Sequence, residues 1–149
     1  MSLGVFRASA EQYTPIGFRI DDDGKGWVMA YCHANLVADT PYKVTAGAYG
    51  YVTEAIASGT CYAMIGFPNQ AWTTNDSAWL QVQGYKADAI LTSGTTYTSG
   101  YYITFVAGAY TNAATDNVAG QFAVAAETAT GGAYPNIMLT QTGYVNVTS

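Results

Sequence analysis

Charged side chains are scarce in this sequence: they make up 10% of its 149 residues, against about 25% in typical soluble proteins. Basic residues are few, five in all, and the net charge is −5. Because nucleic-acid binding draws much of its affinity from Lys and Arg on phosphates, we expect no nucleic-acid partner. A surface poor in Lys and Glu is instead typical of permanent protein–protein interfaces, from which those residues are depleted.

Metal-ligating and nucleophilic side chains are also few. The chain has two cysteines, Cys32 and Cys61, and one histidine, His33. Two cysteines do not make a disulfide framework, and this set does not complete a tetrahedral zinc site without carboxylates. Cys32 and His33 are neighbours in a predicted strand, where consecutive side chains point to opposite faces, so they cannot pair with each other. We predict no enzyme activity, no metal site and no cofactor.

Acidic residues cluster only at Asp21-Asp22-Asp23-Gly24. An EF-hand register would place Lys25 where an oxygen ligand is required and Cys32 where a bidentate Glu belongs. The cluster is therefore predicted to be a solvated polar turn. The other acidic residues are spread singly, although spacing alone does not exclude a pair of separated carboxylates. A hydrolase that uses such a pair is the third functional alternative.

Long apolar runs are missing as well. No stretch approaches the ~18 apolar residues that a membrane span needs, and the sequence starts at Met1 without a basic-plus-apolar leader. We expect no membrane partner and synthesis in a cytoplasm.

Strand-forming residues are abundant, because Tyr, Val, Ile and Thr recur in short segments that turn signals separate. The 3.6-residue period of helices is not sustained, so little helix is expected. This spacing predicts an all-β fold, a compact antiparallel sandwich or barrel. The predicted strands are 27–34, 42–46, 49–56, 60–66, 78–83, 85–91, 101–107, 120–126, 136–140 and 143–147.

The first 26 residues differ from the remainder, since their apolar residues are scattered and most of the charge is concentrated there and just after. Alternation at Ile16, Phe18 and Ile20 permits one short strand, and the other residues are expected to be extended. We predict an extended N-terminal arm over residues 1–26 and a single β domain over residues 27–149.

Aromatic residues make up 14% of the chain, and they fit either of two functions. In the predicted strand 78–83, Trp79 and Gln81 share one face and Leu80 lies on the other. A Trp beside glutamines on an outer face suits a sugar ring, but Trp and Tyr also anchor interfaces between subunits. The interface is the favoured interpretation. The alternative is a carbohydrate-binding or fibre-tip module that uses Trp72 and Trp79.

Three segments resemble parts of phage head decoration (cement) proteins and related small virion proteins. Each segment combines a glycine with an aromatic residue and leads into an apolar strand. They read DGKGWVMA with ANLVADTPYKV (23–30 and 34–44), IGF with WLQVQGY (65–67 and 79–85), and GQFAVA before a Gly-Gly loop (120–125).

The resemblance implies a structural protein that binds the outside of a phage capsid and reinforces it, made in the host cytoplasm and carried on the outer capsid surface of the virion. It also implies a homotrimer, with the major capsid protein as partner and an N-terminal segment that clamps a neighbouring subunit. The candidate residues of this capsid or subunit interface are Leu3, Val5, Phe6, Arg7, Tyr13, Ile16, Phe18 and Trp79.

Overall fold

A computed structural model describes residues 6–7, 18–48, 50–56, 59, 61, 63–91, 95–106, 108–114, 120–130 and 134–141. Regular structure in these residues consists of β-strands without helices, which confirms the all-β prediction. None of them forms a helix long and apolar enough to cross a membrane. The strands are β1 (Phe6–Arg7), β2 (Phe18–Ile20), β3 (Gly26–Cys32), β4 (Tyr42–Gly47), β5 (Gly50–Glu54), β6 (Met64–Pro68), β7 (Asp76–Lys86), β8 (Tyr102–Val106), β9 (Ala109–Ala113), β10 (Gln121–Ala125) and β11 (Ile137–Thr140).

Five of the strands close into a barrel in the order β3-β5-β4-β6-β7, and the long pairing of β7 with β3 completes the ring. Neighbouring strands are antiparallel except β3 and β5, which run parallel over two pairs, Tyr31 opposite Val52 and Cys32 opposite Thr53. Of the two predicted alternatives, an antiparallel sandwich or barrel, the structure shows a barrel with extra strands, and this short parallel seam departs from the antiparallel prediction.

Alternation along β3 and β7 fills the barrel. Its interior contains Val28, Ala30, Cys32, Leu36, Val44, Met64, Trp72, Ala78, Leu80 and Val82. Gly66 is the closest approach between β6 and β7, because a Cβ added there would lie 2.7 Å from Leu80 Cβ. A larger residue at this position would push the two strands apart.

A second sheet grows from the far half of β7 in the order β7-β11-β10-β8-β9. Its inner face packs on the outside of the barrel and shares a larger core with Ile65 and Phe67 of β6. The second-sheet members of this core include Ile103, Phe105, Tyr110, Phe122, Ala123, Ala125, Ile137 and Leu139.

Strand β7 joins the barrel to the second sheet, and here the sequence prediction was wrong. Two strands were expected, 78–83 and 85–91, because Gly84 reads as a turn signal. The glycine instead adopts a φ of 88° inside one continuous strand and still pairs with Leu139 of β11. Positive φ is available to glycine at little cost, so the strand bends without ending, and residues 87–91 leave the sheet.

Among the described residues, the remaining strand predictions agree with the structure apart from β1, β6 and β9, and β1 was expected to be part of an extended segment. Strand β6 begins at Met64 rather than at residue 60, and β9 was not expected because its Ala and Asn content is poor in strand formers. The predicted strand 143–147 lies outside the described residues. Strand β2 confirms the short strand expected around Phe18.

Both N-terminal strands belong to the same hydrogen-bonded network as the body. Strand β2 is antiparallel to β3, and β1 places Phe6 opposite Ser77 and Arg7 opposite Asp76 at the start of β7. The division into an arm at 1–26 and a domain at 27–149 stays a prediction.

Candidate interaction surface

The two cysteines are buried free thiols. Cys32 points into the barrel and the adjacent His33 is exposed, so the two side chains lie on opposite faces as expected. Burial raises the pKa of the Cys32 thiol to about 12, and the charge of Asp76 adds to the shift. Burial also raises the pKa of Cys61. Neither thiol is therefore prepared to act as a nucleophile.

Metal-ligating side chains do not gather in the described part of the chain: no group of three or more His, Cys, Asp or Glu residues there could hold an ion. The acidic cluster at residues 21–24 is a turn, as expected. Asp21 Oδ1 accepts hydrogen bonds from the backbone N–H groups of Asp23 and Lys25, at 2.9 and 3.0 Å. Asp21 Oδ2 accepts one from the indole N–H of Trp27, at 2.9 Å.

The pKa of Asp21 reflects this arrangement. Desolvation raises it, but the hydrogen bonds from Trp27, Lys25 and Asp23 and the charge of Lys25 together outweigh that effect and hold the pKa below its ordinary value. The carboxylate is thus occupied in fixing its own turn.

All three tryptophans are buried, at 4–8% exposure, which leaves Trp72 and Trp79 little surface for the alternative function of carbohydrate binding. Trp72 fills the barrel, and its backbone bridges to Leu36. Trp79 does lie on the outer side of β7, as its alternation with Leu80 predicted. That side is covered, because Trp79 packs with Trp27 and Met29 and the Arg19 guanidinium sits 5.6 Å from its ring centroid.

Gln81, the expected sugar-binding neighbour of Trp79, is buried too. Its side-chain amide donates to the carbonyl oxygens of Gln83 and Tyr85, at 3.2 and 2.8 Å, on either side of the bend at Gly84. This glutamine stabilises the bent strand and is not available to a ligand.

Of the eight residues predicted for the capsid or subunit interface, the structure describes the side chains of two, Phe18 and Trp79. Phe18 is exposed on β2, and Trp79 presents little accessible surface. Phe6 and Arg7 form β1, of which only the backbone is described. Leu3, Val5, Tyr13 and Ile16 lie outside the described residues. The interface role of these eight residues stays a prediction.

A row of exposed and half-buried apolar residues lies on the outer face of the second sheet, and sequence reasoning missed it. Five residues stand directly opposite one another on five adjacent strands: Tyr85, Met138, Val124, Tyr102 and Ala113. We call them the outer row. Tyr85 and Met138 are 44% and 42% exposed, and the other three are half-buried.

Strands that are apolar on both faces explain why this row was missed. Met138 lies between the core residues Ile137 and Leu139, and Val124 between Ala123 and Ala125. Such a run is typical of a strand buried on both sides. The available signal was the absence of charge, since β8 to β11 contain no Asp, Glu, Lys or Arg.

A groove of about 310 Å³ lies elsewhere, between the end of β3 and the β4–β5 hairpin. Tyr31, His33, Tyr51 and Glu54 line it, and Glu54 forms an ion pair with Lys43 at 2.7 Å. The groove combines aromatic walls with one imidazole, and the groups in it do not form a nucleophile–base pair.

Comparison with known proteins gives one informative likeness. No protein-family model matches the chain, and no curated protein matches its sequence. Among solved structures, the chain is similar to the crystal structure of the head fiber gp8.5 N base in bacteriophage phi29. The identity is 14%, the alignment covers 76% of this chain and 92% of that chain, and the TM-score is 0.50. At this identity the likeness concerns the fold.

Proposed function

We propose that this chain is a structural protein of a phage head, which binds the outside of the capsid and reinforces it as a homotrimer. One observation carries the proposal: the fold likeness extends over 92% of a phage head fiber base. The three sequence segments that resemble decoration proteins lead to the same class of virion protein.

The N-terminal side of the molecule provides the surface for the capsid. Strand β2 is the last strand at its end of the sheet, so its outer edge carries backbone groups that no described strand pairs with. Exposed sheet edges take up an extended segment of a partner by strand addition. Phe18 and Ile20 are exposed on this strand, and they supply apolar contacts beside the edge.

The expected partner is the major capsid protein. Capsids present many identical sites, and a trimer engages several of them at once. Linked sites raise the overall affinity without new contacts, so each single attachment can be modest.

Capsid attachment provides the test. The gene for this chain is deleted from the phage that encodes it, so that the capsids lack the protein. Purified protein is mixed with these capsids, and binding is measured by co-sedimentation. We expect Ile20→Asp to weaken attachment about tenfold, because a charge at an apolar contact costs about 1–2 kcal/mol. Val37→Asp is the matched control, since Val37 and Ile20 are both 58% exposed and Val37 lies on a barrel loop.

Deletion of residues 1–17 tests the arm separately, because it keeps β2. Loss of attachment with retained β structure supports the arm as a clamp. Equal attachment of parent, Ile20→Asp and deletion variant contradicts the capsid surface, and absence of the protein from purified virions by mass spectrometry contradicts the function itself.

A further inference from the structure

We infer that the outer row (Tyr85, Met138, Val124, Tyr102 and Ala113) is the contact through which copies of this chain associate with one another. The inference rests on the homo-oligomer in the proposed function and assigns its surface.

The row is continuous across the sheet. Its five residues come from β7, β11, β10, β8 and β9, and each stands directly opposite the next. Directly opposed residues share a face, and strands lie about 4.8 Å apart. The row therefore extends for about 19 Å at right angles to the strands, which is long enough to register two sheets face to face.

The inner face of this sheet packs into the core, whereas the row on the outer face keeps accessible surface. Residues that flank the row along the strands, such as Ile137 and Leu139, pack into the core against the barrel. Tyr and Met on the outer face belong to the residue types enriched in interface cores. Contiguous exposed apolar surface on a soluble chain marks an interaction site more often than scattered apolar residues do.

One pair of hydroxyl groups beside the row is already made, which lowers the cost of removing water at that point. Thr104 is fully buried, and its hydroxyl lies 2.6 Å from the hydroxyl of Thr111 on the adjacent strand. A hydroxyl that keeps its partner on burial avoids the penalty of an unsatisfied polar group.

Charge selects a second copy as the occupant. The chain carries a net charge of −5, so two copies repel wherever their charged surfaces meet. Strands β8 to β11 contain no charged residue, whereas the turn beside β2 carries Asp21, Asp22, Asp23 and Lys25. Strands β8 to β11 thus add no charge of their own to a contact between identical acidic copies.

A residue meets its own counterpart in another copy where it lies close to the symmetry axis. With the row near the axis, Met138 of one copy approaches Met138 of the next, around a twofold or a threefold axis.

Sedimentation equilibrium of the full chain tests the inference. Met138→Glu places carboxylates of neighbouring copies against each other, and we expect the dissociation constant between copies to rise at least about tenfold. Tyr85→Glu, directly opposite on β7, is expected to act in the same way. Val37→Glu is the matched control, because it adds the same charge at an exposed apolar residue outside the second sheet.

Fluorescence of the buried tryptophans identifies any variant that fails to fold. If one of the two row variants does not fold, the other is used to test association. Association lost in the row variants and retained in Val37→Glu supports the inference. A monomeric parent, row variants that associate like the parent, or equal loss in all three variants overturns it. Capsid attachment is measured in parallel, and a failure to attach contradicts the proposed function without affecting this inference. Association of the parent as a dimer through the row supports the inference and contradicts the homotrimer of the proposed function.

Discussion

At the scale of single residues, Asp21 shows how a short-range contact fixes the entry into the barrel. Its two carboxylate oxygens hold the N–H groups of Asp23 and Lys25 and the indole of Trp27. The turn is therefore tied to the first residues of β3. Trp27 in turn packs with Met29 and Trp79, so a local acidic turn helps to cover the outer side of β3 and β7.

Replacement of Asp21 by Ala is expected to lower the free energy of unfolding by about 1–2 kcal/mol at neutral pH, since hydrogen bonds to a charged acceptor are lost. The pKa of Asp21 is lower in the folded chain than its ordinary value of 3.8. Its stabilisation is therefore complete above about pH 5 and fades as the pH falls below 3.8 through the folded pKa. Urea unfolding of the parent and of Asp21→Ala should show a difference in the free energy of unfolding that is smaller at pH 3 than at pH 7.

Asp23→Ala is the control for this experiment, because it removes an equal charge and keeps the backbone N–H that bonds Asp21. A cost for Asp21→Ala that does not change with pH would contradict the charged carboxylate as its origin.

At the scale of elements, a side-chain amide bridges β6 and β7 at the fork, the point where these two strands separate and β11 pairs with β7. Gln141, directly after β11, accepts from Ile65 N–H at 2.7 Å and donates to Ile65 C=O at 2.7 Å. It also donates to Val82 C=O at 3.0 Å. A single amide thus satisfies the backbone groups that a strand partner would otherwise satisfy.

Gln141→Glu tests this fork with almost no change of shape. The carboxylate still accepts from Ile65, but it cannot donate to Ile65 or Val82, and both carbonyl groups lose their partner. We expect a loss of about 2–3 kcal/mol in the free energy of unfolding, measured by urea denaturation at pH 7. Gln70→Glu, in the exposed turn after β6, makes the same chemical change and should cost little. Equal costs for the two variants would contradict the bridging role.

At the scale of the whole molecule, one ion pair joins the barrel to the segment that leads from β7 toward the second core. Lys86 Nζ lies 2.5 Å from Asp39 Oδ1 and 2.7 Å from Ala87 C=O, and the lysine is buried. The backbone of Asp39 also bonds to Pro68 and Ile90, both at 2.9 Å. Asp39 therefore holds the end of β6 and the chain after β7 together.

A double-mutant cycle measures this junction. Asp39→Asn keeps a residue that tolerates the positive φ of 61° at this position, but it leaves the buried Lys86 charge without its counter-charge. We expect Asp39→Asn to lower the free energy of unfolding by about 2 kcal/mol. Solvent partly screens the half-exposed Asp39 carboxylate, which keeps the loss below that of a fully buried pair. Lys86→Met should cost less, and the double variant less than the sum of the two. Additive costs by thermal and urea unfolding would show that the pair is not coupled.

Local sequence patterns accounted for most of the strands. Alternation and turn residues located most strands of the barrel and second sheet, and neighbouring positions correctly set Cys32 and His33 on opposite faces. These properties depend on a few adjacent residues, because the period of two in a strand is a local geometric fact.

Tertiary structure decided which faces are covered and which strands meet. Alternation placed Trp79 on the outer side of β7 but could not show that Arg19, Trp27 and Met29 bury it. Positive φ at Gly84 turned two predicted strands into one. The outer row gathers residues from position 85 to position 138, and its order follows from pairings between strands far apart in the chain. The sequence by itself determined a β fold poor in charged residues, because composition and period are local. Only long-range pairing decided where the uncharged residues form a surface, because the period of two assigns a residue to a face and does not say what lies against it.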